Sequence, residues 1–387
     1  MSAIGSGAGR TRQERTLGGL VTGQLLRLCQ VSGLGRSDAE TYAHVLTDAL
    51  GAAAERPLDL PPPSRSFLSD DSTPVEFSLS FTPDTPPTVR VLLEPGCGAG
   101  GLGENGRTGL RVIRSMARRW GFATDQLDVL EDLFLPPDPQ GPLALWIALE
   151  LFPGGVPRAK VYLNPAAAGA TRAAETVREA LDRLGHRHAF DALPPADGYP
   201  FFALDLGDWA EPRVKIYATH HGLPATAAGG LCRMESGPDS ETLQEFLRTV
   251  GGFDDGTGHP GARSKERFDR RPVLSCHSFR RTTGGPTGFT LHVPVRDYAR
   301  DDSEALGRAR AVLDRHGVDT AALLDRSLAA VTSRQPQDGA GLIAYVALAH
   351  EQGRPPRVTA YISSEAYEVR PPTAPLSSRG VPAAGRR

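Results

Sequence analysis

Lysine is nearly missing from this chain: of 43 basic residues only three are lysines, Lys160, Lys215 and Lys265. Cysteine is scarce too. Cys29, Cys97, Cys232 and Cys276 are widely spaced, with no CxxC pair and no Cys/His cluster, which excludes a zinc module and a disulfide-built secreted scaffold. No run of 18 apolar residues occurs, so nothing reads as a membrane-spanning helix. The formal charge is only -2, which removes any global electrostatic case for a nucleic-acid or anionic-membrane partner. The N-terminus carries no apolar stretch before Leu17 and hence no visible signal peptide; the expected location is the cytoplasm. Acidic pairs exist at Asp70-Asp71, Asp254-Asp255 and Asp301-Asp302, but none has the second carboxylate four positions on that magnesium-binding prenyl synthases place on helices. Any anionic ligand must therefore be held by a local set of cations, and a metal is not required for it.

What is present is a repeat. Two helical segments, Leu17–Gln30 and Asp38–Ala54 with Ser37 as its cap, precede a proline cluster at 57–63. Five strand pairs follow, each joined by a Gly/Pro-type turn: 75–81 with 88–94, 143–152 with 158–163, 201–206 with 212–219, 273–281 with 287–295, and 341–349 with 357–363. Helices are expected after pairs rather than after single strands, near 106–120, 124–133, 170–184, 239–250, 302–316 and 320–329. Alternating strands and helices would have meant a parallel sheet; hairpins followed by helices mean an antiparallel one. The expected fold class is α+β, a closed ten-stranded antiparallel β-barrel surrounded by helices, because closure removes the sheet edges. Residues 15–370 form one domain, with 1–14 a disordered leader and 371–387 a disordered tail.

Side-chain parity decides what fills the barrel. In Val75-Glu76-Phe77-Ser78-Leu79-Ser80-Phe81 the apolar residues alternate with polar ones. Helices must cover the apolar face, so the polar face lines a solvent-filled lumen. The same parity puts Arg90, then Lys160 and Tyr162, then Arg213, Lys215 and Tyr217 into that lumen, with Thr290, His292 and Tyr361 on the later strands. Four cations on β positions facing one lumen repel one another unless an anion joins them, and a diphosphate fits, with forked contacts from arginine and point charges from lysine. The alternative is pairing with acidic residues. Tyrosines beside a diphosphate clamp suit an allyl cation, which aromatic faces stabilise and shield from water. Glu76 can accept an indole N–H or act as base; its bland alternative is a salt bridge to Arg90. The glycine-rich run 96–101 lacks the Lys-Ser/Thr of a nucleotide loop and is read as a flexible rim loop. His220-His221 at a strand end is a weaker candidate base.

The segments PPSRSFLSDDSTPVEFSLSF and VRVLLEPGCGAG (62–81 and 89–100), AKVYLNP (159–165), RVKIYATHHG (213–222) and VTAYISSEAYEV (358–369) resemble the bacterial branch of the indole, dimethylallyltryptophan-synthase-type prenyltransferases. That resemblance implies a barrel of repeated αββα units. It implies transfer of a dimethylallyl group from dimethylallyl diphosphate to the indole ring of L-tryptophan, leaning towards C6, without an obligatory magnesium ion. A tryptophan-containing cyclic dipeptide, tyrosine or an indole alkaloid precursor are alternative acceptors, and geranyl diphosphate an alternative donor. A non-catalytic barrel binding anionic small molecules is the reading from another class. By resemblance Glu76 holds the indole N–H, Lys160 acts in catalysis, and Arg90, Lys160, Arg213 and Lys215 bind diphosphate. Tyr162, Tyr217 and either Tyr361 or Tyr367 shield the cation. The fourth hairpin departs from the fungal pattern, with Thr290-Leu291-His292 where Gln-x-Tyr is expected, which alters the acceptor pocket on that wall.

Overall fold

A computed structural model describes residues 15–207, 213–253, 266–280, 285–318 and 321–373. The leader at 1–14, the Asp254-Asp255 pair, Lys265 and residues 374–387 lie outside the described residues. Of the expected tail, residues 371–373 are described, and the Thr373 amide donates to the Arg300 carbonyl at 2.9 Å.

Ten strands close into one antiparallel barrel: β1 Val75–Phe81, β2 Thr88–Leu93, β3 Leu145–Glu150, β4 Arg158–Leu163, β5 Gly198–Leu206, β6 Val214–His220, β9 Val273–Phe279, β10 Gly288–Val293, β11 Ile343–Glu351 and β12 Arg357–Ser363. Two short strands, β7 Leu223–Pro224 and β8 Arg267–Phe268, pair separately. Each barrel strand bonds its sequence neighbours, and β1 meets β12 through pairs such as Ser78 with Tyr361, so no edge is left unpaired. The hairpin turns need left-handed backbone, supplied by Gly154 and Gly155 between β3 and β4 and by Gly353 between β11 and β12.

Outside the barrel lie α1 Leu17–Val31, α2 Arg36–Leu50, α3 Leu102–Trp120, α4 Asp125–Asp128, α5 Glu131–Phe134, α6 Ala173–Arg183, α7 Ser240–Gly251, α8 Asp302–Arg315 and α9 Ala321–Val331. Their starts are local chemistry. Thr16, Asp239 and Asp301 each accept a first-turn amide, from Gly19, Thr242 and Glu304. The expected Ser37 cap is not used: Gly35, in extended backbone, precedes α2, and Ser37 sits inside its first turn. The helix expected near 124–133 is two short ones, because three-residue turns (Leu130 amide to Leu127 carbonyl, Leu133 amide to Leu130 carbonyl) tighten the backbone between them.

The core is the layer between sheet and helices. Val75, Phe77, Leu79 and Phe81 of β1 join Leu17, Val21, Leu25 and Leu28 of α1 in it, all essentially inaccessible. The apolar face of every barrel strand is thus used outward, and Glu76, Ser78, Arg90, Lys160 and Tyr162 are left to line the interior. The run 96–101 is not a free rim loop at its start. Gly96 is buried, and a Cβ there would stand 2.5 Å from the Asn105 Cα. Its lack of a side chain is what lets the chain turn against α3.

Candidate active site

The barrel encloses a cavity of about 840 Å3. Its wall contains eight basic side chains against four carboxylates, Glu76, Glu150, Asp205 and Glu351. Parity placed Arg90, Lys160, Arg213 and Lys215 there, and all four line it together with Thr290 and His292.

Three of the four cations pair with acidic residues, the alternative left open by the sequence, because carboxylates from adjoining strands intervene. Arg90 donates to Glu150 through Nε (3.0 Å) and Nη2 (2.6 Å). Arg213 reaches Asp205 at 2.8 Å and Glu351 at 2.9 Å, and the Lys160 ammonium lies 3.5 Å from Asp205. These contacts follow from register: Arg90 stands across from Glu150, and Lys160 across from Asp205. The balance remains positive. Lys215 and Arg357 make no ion pair among the described residues, and the Nε of Arg357 has no hydrogen-bond partner. Burial, then the neighbouring Arg213 and Lys160, holds the Lys215 ammonium well below the ordinary lysine range. Burial and then Arg90 bring the Arg357 guanidinium down to about 10. Burial works against Glu150, yet Arg90 overrides it and pulls this carboxyl down to about 2. Arg357 was within reach of the sequence argument: it shares parity with Thr359 and Tyr361, two residues earlier on the same strand.

Beneath the cations lies a belt of rings. The hydroxyls of Tyr162 and Tyr217 are 3.3 Å apart, and the Lys160 ammonium sits 5.8 Å from the Tyr162 ring centre. Tyr217 neighbours His292 at 5.6 Å between centroids, His292 neighbours Tyr361 at 5.8 Å, and Tyr361 meets the edge of Tyr345 at 6.3 Å. Phe201 closes the belt against Tyr162, Tyr217 and Trp146. Tyr345, Phe201 and Trp146 share parity with Glu351, Asp205 and Glu150 on β11, β5 and β3, so the carboxylate towards the end of each strand was the signal that marks their face. Burial raises the phenols of Tyr162, Tyr217 and Tyr361, the last to about 12, so all stay neutral. His292 is lowered to about 3, first by burial and then by Lys215, and its Nδ1 has no partner. A neutral imidazole therefore stands where a tyrosine was expected.

Tyr361, not Tyr367, completes this belt. Tyr367 lies beyond the end of β12, packs against the helix-side core, and does not line the cavity. His220 also points away, its Nε2 2.8 Å from Ser275 Oγ, and His221 is exposed.

Of the four cavity carboxylates, Glu76 makes no ion pair among the described residues. Its cross-strand neighbour on β2 is Leu92, while Arg90 stands across from Ser78 and bonds Glu150. The salt bridge to Arg90 is therefore not formed. Burial raises the Glu76 carboxyl to about 8, with Arg296 opposing the shift and Asp70 adding to it. Among the described residues no group of three or more His, Cys, Asp and Glu side chains could hold a metal ion, and no helix is long and apolar enough to cross a membrane.

The arrangement offers anion contacts above, ring faces in the middle and an unpaired acid below. Comparison with known proteins agrees with it. A family model described as tryptophan dimethylallyltransferase matches residues 37–324. The prenyltransferase PriB, solved with L-tryptophan and dimethylallyl thiolodiphosphate, is 62% identical over 93% of this chain and 99% of its own, with a TM-score of 0.88. The 5-dimethylallyl tryptophan synthase from Streptomyces coelicolor is 59% identical over 94% of this chain and 99% of its own, at a TM-score of 0.87. The 6-dimethylallyltryptophan synthase from Micromonospora olivasterospora is 38% identical over 92% of this chain and 99% of its own, at 0.84. No curated protein matched. With the family model covering most of the chain and such identity along nearly all of it, the chain belongs to the tryptophan dimethylallyltransferase family.

Proposed function

We propose that this chain transfers the dimethylallyl group of dimethylallyl diphosphate to the indole ring of L-tryptophan, with protein cations rather than an obligatory metal ion holding the diphosphate. The observation that carries the second half is the pair of cations, buried Lys215 and half-buried Arg357, that face the cavity without an ion pair among the described residues. A diphosphate between them and Arg90, Lys160 and Arg213 supplies the missing charge. These contacts strengthen as the C–O bond breaks and negative charge collects on the leaving group, so they lower the barrier rather than merely bind.

The allyl cation left behind lies among Tyr162, Tyr217 and Tyr361, whose ring faces stabilise it and exclude water. Glu76 accepts the indole N–H and sets the ring against the cation. A ring carbon attacks, and the arenium ion then loses the proton from that carbon. The ring position we propose is C6, supported by the sequence resemblance; the relatives named above include synthases of both the 5- and the 6-substituted product. Altered residues on the fourth hairpin, Thr290 and His292, form the wall that bears on this choice.

The test is incubation of purified protein with L-tryptophan and dimethylallyl diphosphate in excess EDTA. A tryptophan carrying one dimethylallyl unit is the expected product, and proton NMR splitting separates C6 from C5. Activity that appears only when magnesium is restored would overturn metal independence. Turnover of a cyclic dipeptide, tyrosine or geranyl diphosphate in place of these substrates would redirect the reading within the same chemistry.

A further inference from the structure

The cavity opens at the end of the barrel where the hairpin turns lie, and three further arginines stand there. Arg158 begins β4, Arg280 follows β9 and Arg354 sits in the turn between β11 and β12; all three line the same cavity as the inner cations. Their side chains are 53%, 38% and 61% exposed, against 20% for Arg90 and 18% for Arg213 deeper in. Arg158 has the parity of Lys160 and Tyr162, so it prolongs a wall whose inner face already bears the site. In the closed ring of ten strands β4 and β11 are five apart, counted through β10, β9, β6 and β5. Arg158 and Arg354 therefore stand on opposite sides of the opening.

The cavity carboxylates within their reach are already engaged. Glu150 accepts two hydrogen bonds from Arg90, and Glu351 accepts one from Arg213 at 2.9 Å. Arg158 is left 3.9 Å from Glu150, while Arg280 and Arg354 stand 3.9 and 3.8 Å from Glu351. Such separations are too long for hydrogen bonds, and ion pairs this exposed are worth little. Each carboxylate thus lies between an inner guanidinium that holds it and an outer one that it only partly neutralises. The Arg158 guanidinium is steadied instead by the Phe152 ring, 4.6 Å from the ring centre. A guanidinium set over a ring keeps the N–H donors along its edge available to an oxyanion.

Resting on the reading that dimethylallyl diphosphate is the donor, we infer that Arg158, Arg280 and Arg354 form an outer anion subsite, which captures the donor diphosphate before it reaches the inner cations. An anion entering between Arg158 and Arg354 displaces only long, solvent-screened contacts, so the first encounter costs little. The inner set then draws it deeper, because Lys215 and Arg357 offer positive charge that makes no ion pair among the described residues. Like charge lining a cleft focuses the field and raises the association rate of an oppositely charged ligand, an effect that salt weakens. The product diphosphate leaves past the same three side chains.

Steady-state kinetics at several salt concentrations test this. Arg158→Gln combined with Arg354→Gln should lower kcat/KM for dimethylallyl diphosphate about fivefold or more at low ionic strength, and flatten its dependence on salt. The kcat at saturating donor and the KM for L-tryptophan should move less than about twofold. Arg111→Gln combined with Arg119→Gln removes the same charge from α3, outside the barrel, and should leave the donor kcat/KM as in wild type. Three results overturn the subsite: an unchanged donor kcat/KM in an Arg158→Gln, Arg354→Gln protein that melts like wild type, an equal fall in the α3 variant, or a kcat that falls in step with kcat/KM. Should the double variant fail to fold, the wild type decides: added salt must depress kcat/KM for the donor more steeply than that for L-tryptophan, and equal slopes overturn the subsite. Wild-type protein that never prenylates L-tryptophan sinks the underlying reading instead. Calorimetric titration with inorganic diphosphate then still tests the subsite, which requires weaker binding by the double variant than by wild type.

Discussion

At the scale of single residues, Glu76 and the unpaired cations carry opposite burdens. The Glu76 carboxyl rises from an ordinary 4.5 to about 8, chiefly through burial. A folded state that holds its proton more tightly than the unfolded chain loses stability as pH rises, here from about 4.5 up to about 8. Glu76→Gln removes that dependence. The variant should gain on the wild type across this window, by on the order of 5 °C in Tm near pH 8, measured by thermal melts at several pH values. Its turnover should nonetheless fall roughly 100-fold with the donor KM nearly unchanged, since the amide no longer offers a carboxylate to the indole N–H. Unchanged turnover would remove Glu76 from the mechanism. Lys215→Ala and Arg357→Ala each delete a cation that makes no ion pair among the described residues. Steady-state kinetics should show a donor KM raised about tenfold or more, and an L-tryptophan KM within twofold. Arg90→Ala differs, because it strands Glu150 and costs fold stability as well.

Elements hold these residues in place by packing that leaves little slack. Glu94, at the end of β2, accepts hydrogen bonds from Ser66 at 2.6 Å and from Asn105 of α3 at 2.7 Å, tying the barrel to its largest covering helix. Gly96 allows the approach. In Gly96→Ala the new methyl would meet Asn105 backbone atoms at 2.5 and 2.6 Å, and backbone cannot swing aside as a long side chain can. The expected loss is roughly 1–3 kcal/mol by chemical denaturation, with substrate KM values little changed. A neutral outcome would mean that the turn at 96–101 adapts freely. The Asp38 carboxylate plays a similar tying part, accepting the Gly154 amide at 3.0 Å and holding α2 to the turn between β3 and β4.

For the molecule as a whole, closure is what makes a polar centre affordable. With the apolar faces of ten strands covered by helices, the barrel has a continuous core around it rather than within it. Eight basic groups can then crowd one cavity, because they stand on rigid strands and three carboxylates besides Glu76 are fixed between them. Much of this was legible in the chain. Alternation in Val75–Phe81, paired strands with glycine turns, and the recurrence of Lys-x-Tyr at 160–162 and 215–217 state the barrel, its polar lining and its cation set, because period-two patterning and turn chemistry are local properties. Register was not legible. Which carboxylate meets Arg90, why Glu76 stays unpaired, that Arg357 joins the cations and that Tyr367 does not join the rings all depend on how far each strand slides against its neighbour. That offset is set by the closing of β1 onto β12 and by packing against the helices. The chain determined by itself which side chains face inward; only the closed barrel decided which of them meet, since such contacts join residues far apart in sequence.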